Sequence, residues 1–364
     1  MKKLLLLLFI PLVSFGQTAI TDDNIQDAVD LWESNQTSAE AEYGNISNWD
    51  TSNVTNMTSL FENFQSFNDD IGGWDVSNVT DMSYMFYYAV DFNQDISNWD
   101  VSNVANMQGM FYNALNFDNG FNPDGINNWD VSNVTNMAAM FMNSTYFSSD
   151  LSSWNVSNVA NMANMFRDVS SNFQFLSQWD VSSVTNMAGM FMDGTGSFGD
   201  IGGWDVSNVT DMSYMFFNNI DFNQDISNWD VSNVANMDAL FYEAESFNQD
   251  ISNWCVTNIT SEPTDFSTNS PLTESNMPVW GTCPSFGLDD QNPLDISLYP
   301  NPTYNYVYLN SNTELEAVVY DLLGKQVMRE YITYKLDISC LEKGTYIINL
   351  TDGINTSSHK IIKN

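Results

Sequence analysis

The sequence predicts an α/β repeat solenoid, with a short strand plus a short helix in each 25-residue coil, followed by a small all-β sandwich domain. Three observations carry this expectation. Tryptophan recurs at 49, 74, 99, 129, 154, 179, 204, 229 and 254, every 25 residues except for one interval of 30, and self-similarity at such a period marks coils that stack. Within each coil the apolar spacing changes from alternation to steps of three and four. From about residue 289 the repeat stops, and short alternating runs separated by turn residues take over.

Composition narrows the function classes. The 364 residues carry 46 acidic and 9 basic side chains, a net charge of −37, which excludes a binder of nucleic-acid phosphates because such a surface needs cations. A hydrophobic fraction of 43% with 14% aromatic residues is too rich for a disordered acidic chain. Three cysteines and one histidine exclude a Cys/His zinc module and a disulfide-dense scaffold.

Residues 1–16 read as a signal peptide: Lys2-Lys3, an apolar run from Leu4 to Val13, then Ser14-Phe15-Gly16. The run is shorter than the roughly twenty residues a membrane-spanning helix needs, so the mature chain is expected to be exported without a transmembrane span. Residues 17–45 form an N-terminal helical cap, since Asp22 to Trp32 place Ile25, Ala28, Val29 and Trp32 on one helix face.

Nine coils occupy residues 46–260. In the coil Ile96 to Phe117, Trp99 and Val101 point one way and Asp100 and Ser102 the other, the pattern of a strand with one buried face. From Val104 onward Met107, Met110, Phe111, Ala114 and Phe117 fall at helical steps, with Ser102 or Asn103 at the helix N-cap. A 25-residue coil cannot bury its apolar face alone, so neighbours must cover it. Stacking turns Met57, Met82, Met107, Met137, Met162, Met187, Met212 and Met237 into one row. Phe61, Phe86, Phe111, Phe141, Phe166, Phe191, Phe216 and Phe241 form another. Both are read as packing, thioether against ring. Strands stack about 4.8 Å apart and helices pack about 8 to 10 Å apart, so the array is expected to curve with its strands inside.

Residues 261–288 form a C-terminal cap and linker. Cys255 and Cys283 are the natural disulfide pair of an exported chain, and Cys340, within an alternating pattern, is expected as a buried thiol. Residues 17–288 hold 36 acidic side chains and one basic one, Arg167, whereas residues 289–364 hold 10 and 6. This places a domain boundary near 285 to 292. Val307 to Leu309, Ala317 to Tyr320, Leu336 to Ile338 and Tyr346 to Leu350 read as strands, with turns at Asn301-Pro302, Gly324, Gly344 and Asp352-Gly353.

The Ile-x-x-Trp-x-Val alternation resembles the core of leucine-rich repeats. Phrases such as Phe92-Asn-Gln-Asp-Ile-Ser-Asn-Trp-Asp-Val-Ser-Asn-Val-Ala-Asn-Met107 resemble the BspA-type leucine-rich-repeat surface proteins, also known from mycoplasma lipoprotein repeats. This likeness covers about residues 20 to 285. It implies a bacterial cell-surface protein with a binding or adhesion role and no enzymatic activity. Leu298-Tyr-Pro-Asn-Pro302, Val319-Tyr-Asp-Leu-Leu-Gly-Lys325 and Leu341-Glu-Lys-Gly-Thr-Tyr-Ile-Ile-Asn-Leu350 resemble the type A C-terminal sorting domain of the type IX secretion system. That implies contact with the secretion machinery through residues 289–364. It also implies passage across the outer membrane of a Gram-negative, Bacteroidota-type cell, removal of the domain, and release or surface attachment.

Two acidic rows are the candidate chemistry. Asp50, Asp75, Asp100, Asp130, Asp180, Asp205 and Asp230 flank the strand positions, and a binding surface for an extracellular protein or glycan is expected at Asp75, Asp100, Asp130, Asp180, Asp205 and Asp230. Asp70, Asp95, Asp150, Asp200, Asp225 and Asp250 precede the strand. One reading is that Ca²⁺, the one cofactor such rows suggest, bridges them. The other is that each Asp accepts backbone hydrogen bonds in a turn. Glycoside hydrolysis by a carboxylate pair is the competing enzymatic class, but these carboxylates repeat in every coil, and no His, Lys or free Cys is available within the array as base or nucleophile, Cys255 being spoken for by the expected disulfide. The chain is therefore expected not to be an enzyme. A structural or spacer role in the cell coat is the alternative to binding. The Asn-Val-Thr sequons at Asn53, Asn78, Asn133 and Asn208 read as by-products of the repeat, and Asn116 to Gly125 carries five extra residues in a loop where binding could sit.

Overall fold

The computed structural model describes residues 17–122, 125–170, 173–196, 199–284, 296–311, 313–321, 325–353 and 356–364. It divides into two compact units, one ending at Pro284 and one beginning at Ser285. The signal peptide, the Gly324 turn and the linker 285–288 lie outside the described residues.

The expected α/β solenoid is corrected by what the repeats form. Among the described residues the only α-helices are α1 (Ile25–Ser34) and α2 (Gln36–Tyr43), both before the repeats. Each repeat is a rung of consecutive turns and carries neither the strand at Trp-x-Val nor the helix after it. The reason lies in the backbone hydrogen bonds. Along one rung, the amides of Met85, Tyr87 and Ala89 donate to the carbonyls of Met82, Tyr84 and Phe86, three residues back (3.0–3.2 Å). The intervening amides of Met82, Tyr84, Phe86 and Tyr88 donate instead to Asn106, Gln108, Met110 and Tyr112 of the next rung (2.8–2.9 Å). A helix would spend every amide on its own chain; here alternate amides leave the rung.

The same pattern recurs along the stack, with single parallel bridges from Asn56 and Asp81 through Asn106, Asn136, Asn161 and Asn186 to Asp211 and Asn236. Both halves of every rung therefore stack at the strand spacing of about 4.8 Å, and the mismatch from which curvature was expected does not exist. Two positions per rung turn left-handed, exemplified by Tyr84 (φ 57°) and Tyr88 (φ 58°). Each costs about 1–2 kcal/mol for a residue with a side chain, offset by the inter-rung bond its amide makes.

Stacking makes identical residues meet. Phe61, Phe86, Phe111, Phe141, Phe166, Phe191, Phe216 and Phe241 form one column with centroids 5.4–6.2 Å apart and planes within 18°. The indoles stack likewise, at 6.0 Å for Trp49–Trp74 and 6.4 Å for Trp99–Trp129 and Trp129–Trp154. A buried indole N–H needs a partner, and from Trp74 onward each repeat indole donates to a carbonyl of the rung before, as Trp74 does to Ile46, Trp99 to Ile71 and Trp129 to Ile96 (2.9–3.2 Å). Ser102 and Asn103, expected at a helix N-cap, take another task. The Asn103 amide donates to the Ser77 carbonyl at 2.8 Å, and Asn133 to Ser102 at 2.7 Å. The sequon asparagines Asn78, Asn133 and Asn208 are thus inter-rung ties.

Both ends of the stack are closed. α1 buries Ile25, Ala28, Val29 and Trp32, and Trp32 meets Trp49 edge-on at 6.0 Å. Asp22 acts as a missing rung: its carboxylate accepts from the Thr55 amide (2.7 Å), the Thr55 hydroxyl (2.6 Å) and the Asn56 amide (3.2 Å), donors that elsewhere bond a preceding rung. At the far end, the amides of Ala239, Phe241 and Glu243 bond the carbonyls of Thr264, Phe266 and Thr268. Phe266 sits edge-on to Phe241, and Cys255 is joined to Cys283.

The second unit is a β-sandwich. One sheet orders β1 (Leu298–Tyr299), β2 (Tyr306–Leu309) and β5 (Lys335–Asp337). The other orders β4 (Gln326–Ile332), β3 (Leu315–Tyr320), β6 (Gly344–Thr351) and β7 (Thr356–Lys363), all antiparallel. Val307, Leu309, Leu315, Val319, Leu336, Ile348 and Leu350 lie in its core. Cys340 is exposed, not buried, because the chain turns at 339–340 just after β5.

Ser183 occupies the asparagine position of its rung, and its side chain is too short to repeat the tie. Ser183→Asn is expected to add about 1 kcal/mol of stability, read as a raised urea midpoint. Cys255→Ser, which opens a 28-residue loop, is expected to cost about 3–4 kcal/mol in the same measurement.

Candidate functional site

The acidic columns are the surface to which the sequence points. Asp75, Asp100, Asp130, Asp180, Asp205 and Asp230 are exposed, one per rung. The Oδ1 of each accepts the backbone N–H two residues on, from Ser77, Ser102, Ser132, Ser182, Ser207 and Ser232, at 3.0–3.1 Å. Asp70, Asp95, Asp150, Asp200, Asp225 and Asp250 do the same at 2.9–3.0 Å. These are Asx turns, and each carboxylate holds its own corner of the rung.

The protonation energetics follow from those contacts. The serine hydroxyl and then the serine N–H hold Asp50, Asp75, Asp130, Asp205, Asp225 and Asp250 below the ordinary aspartate range. At Asp95 burial pushes upward, but Ser97, Asn122 and Asn119 together outweigh it and the net shift is downward. Stacked like charges about 4.8 Å apart repel by about 0.9 kcal/mol in water, so the turn bonds win locally. Among the described residues no group of three or more His, Cys, Asp or Glu side chains is placed to hold a metal ion.

A second surface was not legible as a site in the sequence. The carbonyls of Tyr87, Tyr112, Met142, Arg167, Met192, Phe217 and Tyr242 each accept from the rung before, so these residues form one unbroken column, all half-buried. Tyr84, Tyr87, Tyr88 and Tyr112 gather near its start, with centroids 4.7–5.7 Å apart. Tyr214, Phe217 and Tyr242 gather near its end, at 5.9 and 4.7 Å. The Tyr84 ring lies where a side chain on Gly109 would stand, 2.6 Å from that Cβ position.

Between the clusters the neighbouring positions shrink to Ala188 and Gly189, and an open cavity of about 200 Å³ results, lined by Asn164, Arg167, Ala188, Gly189, Met192 and Tyr214. The Arg167 guanidinium leans on Asp193 at 3.8 Å. Burial, then Asp193, push the Asp168 carboxyl upward against the pull of Arg167. The available signal was a repeat position that is never small while its neighbours are, set against the background of the regular rows.

The five-residue insertion folds back on its neighbours. Asn119 and Asn122 donate to the Asp95 carboxylate at 3.2 and 3.0 Å, and Phe121 is left 75% exposed.

Residues 29–122, 119–199 and 168–280 match the family described as Mycoplasma protein of unknown function, DUF285. These matches span more than half of the chain, and the chain belongs to that family. Residues 297–364 match the secretion system C-terminal sorting domain, which marks the chain for secretion or surface exposure in Bacteroidota-type bacteria and links it to the secretion machinery. No curated protein matches the chain. No helix among the described residues is long and apolar enough to cross a membrane.

An aspartate whose pKa is lowered on folding contributes stability above its unfolded value and loses it as pH falls through the folded one. The stack is therefore expected to keep its full melting temperature above the ordinary aspartate value of about 4 and to lose it progressively below. Replacing calcium by a chelator at neutral pH is expected to leave the melting temperature unchanged; a fall would establish bridging cations.

Proposed function

We propose that this exported member of the family is a non-enzymatic binding protein of the cell surface or its surroundings. The column from Tyr87 to Tyr242 carries this reading. A solvent-facing ladder of Tyr, Met, Arg and Phe side chains on an otherwise acidic, polar stack is the kind of patch that marks an interaction surface. The likeness of the repeat phrase to BspA-type surface proteins supports the same role.

A non-catalytic role rests on the carboxylates. The Asp columns are occupied by turn bonds within every rung, and catalysis calls for a singular acid and base at a defined separation. The sorting domain serves export, after which its removal would leave the stack released or attached outside the cell.

One observation favours a coat or spacer role as the second reading: the inter-rung bonds run from Asp22, through every rung, to Thr268, a continuous tie suited to bearing load. The two separate in one experiment. The purified chain is exposed to panels of immobilised extracellular proteins and glycans at physiological salt, and retention of at least one is expected, with no glycan cleaved. Retention of nothing, together with a weakened cell coat on deletion of the gene, favours the spacer. Deleting residues 297–364 is expected to leave the protein inside the cell.

A further inference from the structure

The chemistry around the ladder selects among partners. Burial first, then the neighbouring tyrosines and Glu62, raise the Tyr87 phenol. Glu243 first, and then burial and Asp265, raise Tyr242. Both aromatic clusters therefore lie in the field of carboxylates, and residues 17–288 carry 36 acids against one base. Carboxylates draw cations. An anionic membrane, a nucleic acid or a second copy of the same acidic surface would be repelled. A neutral glycan would need free ring faces, and the rings here cover one another, Phe217 and Tyr242 lying within 8° of parallel.

The cavity adds a size requirement. It lies beside the second cluster and is lined by Asn164, Arg167, Ala188, Gly189, Met192 and Tyr214. With the Arg167 charge turned toward Asp193, the space suits one large apolar side chain, the kind of anchor that dominates protein interfaces. From Tyr87 to Tyr242 the column covers six rung steps, about 29 Å at 4.8 Å each, the reach of about nine residues of extended polypeptide.

We propose that this ladder is the docking surface for a Lys/Arg-rich polypeptide segment of a partner protein, with one large apolar side chain of that segment seated in the cavity beside Arg167. The segment's cations lie against the carboxylates that flank the tyrosine clusters. This inference rests on the binding reading above and narrows it to one surface and one ligand class.

The test pans a phage-displayed library of random 15-residue peptides against the full chain, then measures the selected peptides in solution as synthetic probes. The expected probes are rich in Lys and Arg around a single Trp, Phe or Leu and weaken as salt rises. Their affinity is expected to fall about tenfold or more on Ala188→Trp, which fills the cavity, and on Phe217→Ser, which breaks the second cluster. Tyr112→Ser gives an independent disruption of the first cluster, and an unchanged melting temperature shows that each variant is folded. Selection of acidic or uncharged peptides, the absence of any selected binder, or basic peptides indifferent to all three variants overturns the proposal. If the chain still retains a partner from the panel while these variants leave that retention intact, the ladder is excluded and the binding reading stands.

Discussion

The structure depends on how alternate peptide groups are shared between a rung and its neighbour. In each rung one amide closes a three-residue turn and the next reaches across to the following rung. Neither set suffices alone. Isolated turns have no cooperative continuation, and single bridges between extended chains would leave half of the buried donors unsatisfied, a cost of about 1–3 kcal/mol each. Together they satisfy the backbone in two directions, which is why each rung tolerates two left-handed residues such as Tyr84 and Tyr88.

Side chains then inherit the spacing. Once every rung sits one strand spacing from the next, residues 25 apart stand directly over one another. Phe meets Phe, Trp meets Trp, and an asparagine amide reaches the carbonyl of the rung before. The arrangement is indifferent to the sign of charge, so it also stacks aspartates. They persist because each is bound to the backbone of its own corner, as Asp205 is to the Ser207 amide at 3.1 Å. The acidic columns, prominent in the sequence, are therefore part of how a rung turns. Where the stack must stop, Asp22 substitutes for a rung at one end, and at the other the Cys255–Cys283 bond fastens the last layers.

What remains free to vary is the outward side chain at positions such as Tyr112, Arg167 and Phe217, whose backbones are held by the ladder while their side chains make few demands on it. A scaffold that fixes its main chain so thoroughly can carry Tyr, Met, Arg or Phe there without altering the fold. The sorting domain answers a separate need, export, with a separate architecture: two antiparallel sheets closed over an aliphatic core.

The sequence by itself determined the period, the rows, the two-part division, the amphipathic face of α1, the Cys255–Cys283 pair and several strands of the sandwich. All of these are local spacings or compositions. It misled on the content of a rung. Steps from Val101 to Val104 and Met107, and from Phe111 to Ala114 and Phe117, are all of three residues, a spacing that suggests a helix and fits equally well consecutive turns closed at three residues. β4 carries no strand signature because it is largely exposed and barely alternates, and the alternation before Cys340 ends in a turn that leaves the thiol exposed. Only the tertiary structure decided that amides would alternate between rung and neighbour, because a partner 25 residues away competes with one four residues away only after the stack exists. For the same reason it alone brought Tyr87 and Tyr112, or Phe217 and Tyr242, into contact and opened a cavity beside Arg167, since a column on a surface has no signature in any single repeat.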